Sequence, residues 1–494
     1  MKREAGILLP IYALPSPHGI GTLGKAAYEF ADFLHAAGQS YWQMLPLGPT
    51  SYGDSPYQGF STYAGNPYFI DLDMLVDDGL LTAEEVAACD GNDERYVNYE
   101  KLYEERFSLL KLACLRGWDR DQKGVEEFRR ENRWVDNYAI YMACKTHFGM
   151  RPWTQWPEDI RLHKKAAVEE YKAKLQDDVN YYVYLQFLFY RQWEKLRDYI
   201  HKRGIRVIGD LPIYVAMDSA DVWCEPQFFQ LDEKGYPTAV GGVPPDYFAE
   251  DGQLWGNPLY DWDAMAQDGY GWWIRRIDGA RKLYDCIRMD HFRGFDEYWA
   301  VPYGDTTARN GKWCKGPGMA LVGVLSSWFC DVSYIAEDLG APSPTVAKLL
   351  EDSGWPGMKV LEFAFDVLAV DSYRPHTYGE NCICYTGTHD NSPLALWMEE
   401  ADEKAVALAQ EYFHVAKDDL PNAMLRGGMG SKASLFMAQM QDYLNLGRGH
   451  RTNTPGTAMG NWQWRMLPGE ASKELAKKIR RMTALYGRCD WHEE

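Results

Sequence analysis

Four acidic residues stand where short apolar runs end: Asp210 after Arg206–Gly209, Asp290 after Cys286–Met289, Glu337 after Val332–Ala336, and Asp390 after Cys382–Thr386 and His389. Taken singly, each fits a helix N-cap or a surface charge as well as anything else. Gathered on one face they would repel each other and lose solvation, a cost that points to chemistry. Paired carboxyls without a metal suit glycosyl transfer. One attacks the anomeric carbon, while the other protonates the leaving oxygen and then deprotonates the incoming hydroxyl. Asp290 and Glu337 are the candidate pair, and a retaining enzyme would hold them about 5–5.5 Å apart. Arg288 lies two residues before Asp290, on the same strand face, where its charge can keep that carboxylate ionised.

The elements that must position these groups are eight short strands: Gly6–Leu9, Tyr41–Leu47, Arg206–Gly209, Cys286–Met289, Val332–Ala336, Lys359–Phe363, Cys382–Thr386 and Met437–Gln441. Helical periodicity separates several of them, as in Ala26–Ala37, stopped by Gly38, and Tyr184–Ile200. Eight strands alternating with helices predict an α/β fold, a closed (β/α)8 TIM barrel, with the strand carboxyl ends on one face. We expect one catalytic domain over 1–494. A mostly helical insertion over 50–180 follows strand two, with helices at 83–89, 99–116 and 168–176. An irregular lid over 212–281, rich in Gly, Pro, Asp and Trp, follows strand three. No β-sandwich is expected after strand eight.

The chain has 494 residues and a net charge of −19, which disfavours nucleic acid as a partner. No apolar run reaches 18 residues, and the N-terminal run Ala5–Leu9 is too short for a signal peptide, so no membrane partner and a cytoplasmic location are expected. Ten cysteines without a Cys-x-x-Cys pair read as free buried thiols. Aromatic residues make up 14%, mostly core, with flat faces to spare for sugar rings.

Other motifs fall away. Gly19-Ile20-Gly21-Thr22-Leu23-Gly24-Lys25 imitates a dinucleotide turn and a P-loop. Pro15 and Pro17 separate it from the preceding strand, no acidic residue lies between Asp32 and Asp54 to take a ribose hydroxyl, and Ala26 stands where a magnesium-binding Ser or Thr is required. The 11 histidines include no His-x-x-x-His helix motif, and no Gly-x-Ser-x-Gly elbow occurs. Tyr181, Tyr182, Tyr184, Phe187 and Phe189 read as helix packing, and Lys473–Arg481 as the solvated face of the last helix.

Gly209-Asp210-Leu211-Pro212-Ile213-Tyr214, Arg288-Met289-Asp290-His291-Phe292-Arg293-Gly294, Ile335-Ala336-Glu337-Asp338-Leu339-Gly340 and Thr386-Gly387-Thr388-His389-Asp390-Asn391 resemble the four signature regions of the α-amylase clan. Ser51–Gln58, Gly242–Phe248 and Leu254–Tyr260 resemble the amylomaltase, or 4-α-glucanotransferase, family within it. The likeness runs from about residue 5 to about residue 465. It implies a retaining transferase that moves α-1,4-glucanosyl units from a glucan donor to a sugar acceptor, with no cofactor and no metal. It also implies roles: Asp290 as nucleophile, Glu337 as acid/base, Asp390 as the carboxylate gripping substrate hydroxyls, His389 as a sugar ligand, and Asp210, Asp246, Trp255 and Tyr57 around the substrate. Two departures stand out. Met289 replaces the usual isoleucine, a volume-tolerant change, and Ser392-Pro393 follows Asn391 where Asp-Thr is common.

Overall fold

The computed structural model describes residues 2–491 except 52, 88, 90–94, 246–249, 341, 367–372 and 458. Eight parallel strands close a barrel in the order β1-β12-β11-β10-β9-β6-β3-β2. They are β1 (Glu4–Leu8), β2 (Tyr41–Gln43), β3 (Arg206–Leu211), β6 (Cys286–Met289), β9 (Ser333–Ala336), β10 (Gly357–Val360), β11 (Cys382–Tyr385) and β12 (Leu435–Gln439). The fold is the (β/α)8 barrel expected. Two strands sit elsewhere than their apolar runs suggest. β10 begins two residues early, because Leu361–Phe365 leaves the ladder as a 3-10 turn, and β12 likewise ends at Gln439, ahead of the helical turn Met440–Tyr443.

Strand alternation explains how acids reach the barrel mouth. Tyr41, Ile208, Cys286, Ile335, Met358, Val360, Ile383, Tyr385, Leu435 and Met437 form an apolar plug in the lumen. Side chains two residues further along point the same way. Asp210 therefore stands above Ile208, Arg288 and then Asp290 above Cys286, and Glu337 above Ile335. The register places Asp210 beside Arg288 across β3 and β6. Outward-facing Gly209 lies so close to Tyr284 that a methyl group there would meet the ring at 2.1 Å. Only glycine lets the outer layer close on β3 at that point.

Between β2 and β3 lie helices at Leu72–Asp77, Ala83–Ala87, Tyr99–Glu131, Trp134–His147, Lys165–Lys174 and Gln176–Lys202. The second long interval is more regular than its composition suggests. It contributes β4 (Ala239–Val243) and β5 (Gln253–Pro258), which join β7 (Glu297–Pro302) and β8 (Lys312–Lys315) in a sheet ordered β5-β4-β7-β8. The glycine-rich run Val240-Gly241-Gly242 hides the strand in the sequence. Gly242 pairs with Trp299 of β7, and a methyl group on it would stand 2.5 Å from the Gln253 carbonyl oxygen of β5, so the close approach of β5 requires glycine there.

The ten cysteines are free, as expected, but not all are buried: Cys330 is exposed and Cys89, Cys224, Cys314 and Cys489 are half-buried. Among the described residues, no helix is long and apolar enough to cross a membrane.

Candidate active site

The strand ends deliver a continuous polar constellation. Arg288, 3% exposed, directs Nη1 at Asp210 Oδ1 and Oδ2 (2.7 and 2.8 Å) and at Asp290 Oδ1 (3.0 Å). The Tyr57 hydroxyl donates to Asp210 Oδ2 at 2.8 Å and lies 3.3 Å from His389 Nδ1. The Tyr57 and His389 rings stack with centroids 4.9 Å apart. On its other side, His389 Nε2 stands 3.3 Å from Asp390 Oδ1. One hydrogen-bonded chain thus links Asp390 to Asp290 through His389, Tyr57, Asp210 and Arg288.

Glu337 is held by backbone. The amide of His291 donates to Glu337 Oε2 at 2.8 Å and that of Leu339 to Oε1 at 2.9 Å. His291 follows Asp290 directly and takes a left-handed conformation, φ 51°. That turn aims its N–H at Glu337, so the two candidate carboxyls lie on either side of a single peptide group. Non-glycine residues in this region carry strain that persists where the surroundings impose it.

The electrostatics separate the acids. Burial pushes Glu337 up to about 7 and Asp290 up to about 6, the latter against the pull of Arg288. Burial would also raise Asp390, but the His389 ring and the Asn453 amide outweigh it and hold this carboxyl well below the ordinary range. His389 is raised: burial opposes its charge, and Asp390 more than restores it. Near neutral pH Asp390 stays ionised, while Glu337 can still carry a proton.

Trp255, on β5, packs its ring edge-on to His291 with centroids 4.8 Å apart, which brings the lid sheet to the edge of the acid pair. Eight of the nine residues singled out from the sequence, Tyr57, Asp210, Trp255, Arg288, Asp290, Glu337, His389 and Asp390, meet at this mouth. The ninth, Asp246, lies outside the described residues. Sequence reasoning missed the floor beneath Asp390. Asn453 Nδ2 donates to Asp390 Oδ1 at 2.6 Å, and Arg451 Nη2 to the Asp390 carbonyl at 2.6 Å. Trp462 packs against both Tyr57 and His389. These residues sit in an irregular segment after β12, with no periodicity to announce them; the polar, glycine-bearing run Gly447–Asn453 is the one available signal.

Known proteins share this arrangement of chain. The family model described as 4-alpha-glucanotransferase matches residues 9–470. The 4-alpha-glucanotransferase of Clostridium butyricum is 46% identical over 489 residues, 97% of this chain and 100% of that protein. That of Thermus thermophilus is 43% identical, covering 98% of both. The amylomaltase of Streptococcus agalactiae, solved in complex with acarbose, superposes with a TM-score of 0.96 at 38% identity, over 99% of this chain and 100% of that one. On this match, which spans nearly the whole length of the barrel and its insertions, the chain belongs to glycoside hydrolase family 77, the 4-alpha-glucanotransferases.

Proposed function

We propose that Asp290 and Glu337 carry the glucanosyl transfer of this 4-alpha-glucanotransferase by double displacement, with Asp390 gripping the sugar. A carboxylate oxygen of Asp290 attacks the anomeric carbon of an α-1,4-linked donor. Glu337 gives its proton to the glycosidic oxygen, the C–O bond breaks, and the shortened sugar leaves. The glucanosyl unit remains as an ester on Asp290. Glu337, now ionised, takes the proton of an acceptor 4-hydroxyl as that oxygen attacks the same carbon and frees Asp290.

The observation that supports this reading is how the two carboxyls are held: Arg288 Nη1 donates to Asp290 Oδ1 and favours its ionised form, while the backbone amides of His291 and Leu339 fix Glu337, which burial pushes up to about 7. An ion-paired carboxyl suits a nucleophile and a raised one suits a proton donor, which supports this division of roles. Asp390 stays anionic, and with Arg288 and His389 as counterions it can bind hydroxyls while positive charge develops on the sugar. The acarbose bound by the Streptococcus agalactiae relative supports a saccharide in this cleft.

Transfer instead of hydrolysis requires that an acceptor reach the ester before water. The β5 edge with Trp255 stands where it can shield the ester and stack an acceptor. Incubation with pure maltotriose tests the reading. Glucose together with longer oligosaccharides, released with retained α-configuration, is expected. Maltose and glucose alone would mark hydrolysis, and inverted products would end the double-displacement scheme.

A further inference from the structure

One buried acid near the mouth has no part in this scheme. Glu362 lies in the turn after β10, 8% exposed. Among the described residues, Glu362 Oε1 has no hydrogen-bond partner, and neither has Oε1 of the fully buried Gln439 at the end of β12. The two side chains close on the turn that carries His389 and Asp390. A methyl group on Gly387 would stand 2.9 Å from Asn391 Cβ, 3.0 Å from Gln439 Nε2 and 3.1 Å from Glu362 Oε1.

Two buried acceptors without a protein donor, on side chains that both lie against Gly387, make a poor arrangement, since a buried oxygen without a donor forfeits its solvation. A proton on Glu362 resolves both at once, because a carboxylic acid is a donor where a carboxylate is not. We propose that Glu362 works as a neutral acid whose hydroxyl donates to Gln439 Oε1, and that this contact positions the turn presenting His389 and Asp390.

The surroundings agree. Burial raises Glu362 well above the ordinary carboxylate range, Asp442 and Glu400 push the same way, and Arg451 and the Asn391 amide pull back. Arg451 is engaged elsewhere, donating to the Asp390 carbonyl, Ser392 Oγ and the Asn453 carbonyl. Gln439 Nε2 reaches the Ser392 carbonyl at 3.4 Å. Gln439 therefore holds Ser392, Arg451 and Asn453 hold Asp390, and Glu362 lies against the same turn at Gly387. Glu362 touches no substrate in this scheme and is a positioning residue. The inference rests on Asp390 being the carboxylate that binds the sugar.

The test is a maltotriose assay of E362Q, E362L and, as reference, D390N, with kcat and KM resolved and melting curves to verify folding. Glutamine keeps a donor of the same reach, so E362Q should stay near the parent. Leucine leaves Gln439 unpaired, and E362L should lose kcat by about tenfold to a hundredfold with KM little changed, the scale at which small misplacements act. The infrared carbonyl band of a protonated acid at pH 8 should weaken in E362Q, a readout that does not need E362L to fold. An E362Q as impaired as E362L, an unimpaired folded E362L, or an unchanged infrared band each overturns the proposal. A fully active D390N would overturn the reading of the site and leave the infrared result on Glu362 intact.

Discussion

Arg288 and Asp290 meet through one nitrogen: Nη1 stands 3.0 Å from Asp290 Oδ1 while making its shorter contacts to Asp210. The guanidinium is thus the main force holding Asp290 down against burial. In Arg288→Gln that force is gone and Asp210 remains nearby, so the Asp290 carboxyl should titrate well above about 6. The nucleophile works ionised. Raising its pKa therefore moves the acid limb of the kcat/KM profile to higher pH, and activity at pH 6 falls more steeply than activity at pH 8. An acid limb that stays in place would show that Arg288 does not set the ionisation of Asp290.

The Tyr57 hydroxyl joins Asp210 to His389, whereas its ring stacks on His389 independently of that oxygen. Tyr57→Phe removes the hydrogen bond and keeps the stack. A hydrogen bond to a charged group is worth about 1.5–3 kcal/mol, so kcat/KM should drop roughly tenfold to a hundredfold. Tyr57→Ala should lose more, by freeing the His389 ring. Equal losses in the two variants would locate the whole effect in stacking.

The barrel was legible because its buried strands read as short apolar runs between helical segments, several of them ending in acids; β6 ends at Met289, with Asp290 next, where the apolar run stops. The small sheet was not. Its β4 is Ala-Val-Gly-Gly-Val, a run that reads as loop, and its glycines are explained only by partners distant in sequence: Tyr214 against Gly241 and the Gln253 backbone against Gly242. Asn453 and Arg451 escaped for a different reason. They meet Asp390 across β12 and its following turn, and a contact at that separation leaves no periodic trace in either segment. The Glu337 carboxylate depends on the amide of His291, a backbone group that any residue would supply.

Trp255 belongs to β5 yet packs on His291, so it couples the small sheet to the peptide between the two acids. Trp255→Ala opens that edge to water and removes a flat face for the acceptor ring. The ester on Asp290 should then be hydrolysed more often. The expected outcome is a several-fold rise in reducing ends released per transfer event, read by comparing reducing-sugar yield with the oligosaccharide ladder. A fall in both by the same factor would assign Trp255 to donor binding instead.

Glu337→Gln should separate activity from stability. Turnover should fall by roughly 10²–10⁴, the usual worth of a positioned acid/base. The parent's folded state keeps the Glu337 proton to about 7, whereas an unfolded chain releases it near the ordinary 4.5. Between these values the folded state binds the extra proton, so the parent loses stability as pH rises through that window. Glutamine has no proton to lose and escapes this penalty, although its single carbonyl can satisfy only one of the two amides that now reach Glu337. The net gain is therefore modest, about 1 kcal/mol at pH 8, and absent at pH 4. Calorimetric melting of both proteins at the two pH values checks it. An E337Q that melts below the parent at pH 8 by as much as at pH 4 would mean that Glu337 binds its proton no more tightly folded than unfolded, and that the proton for the leaving oxygen comes from elsewhere.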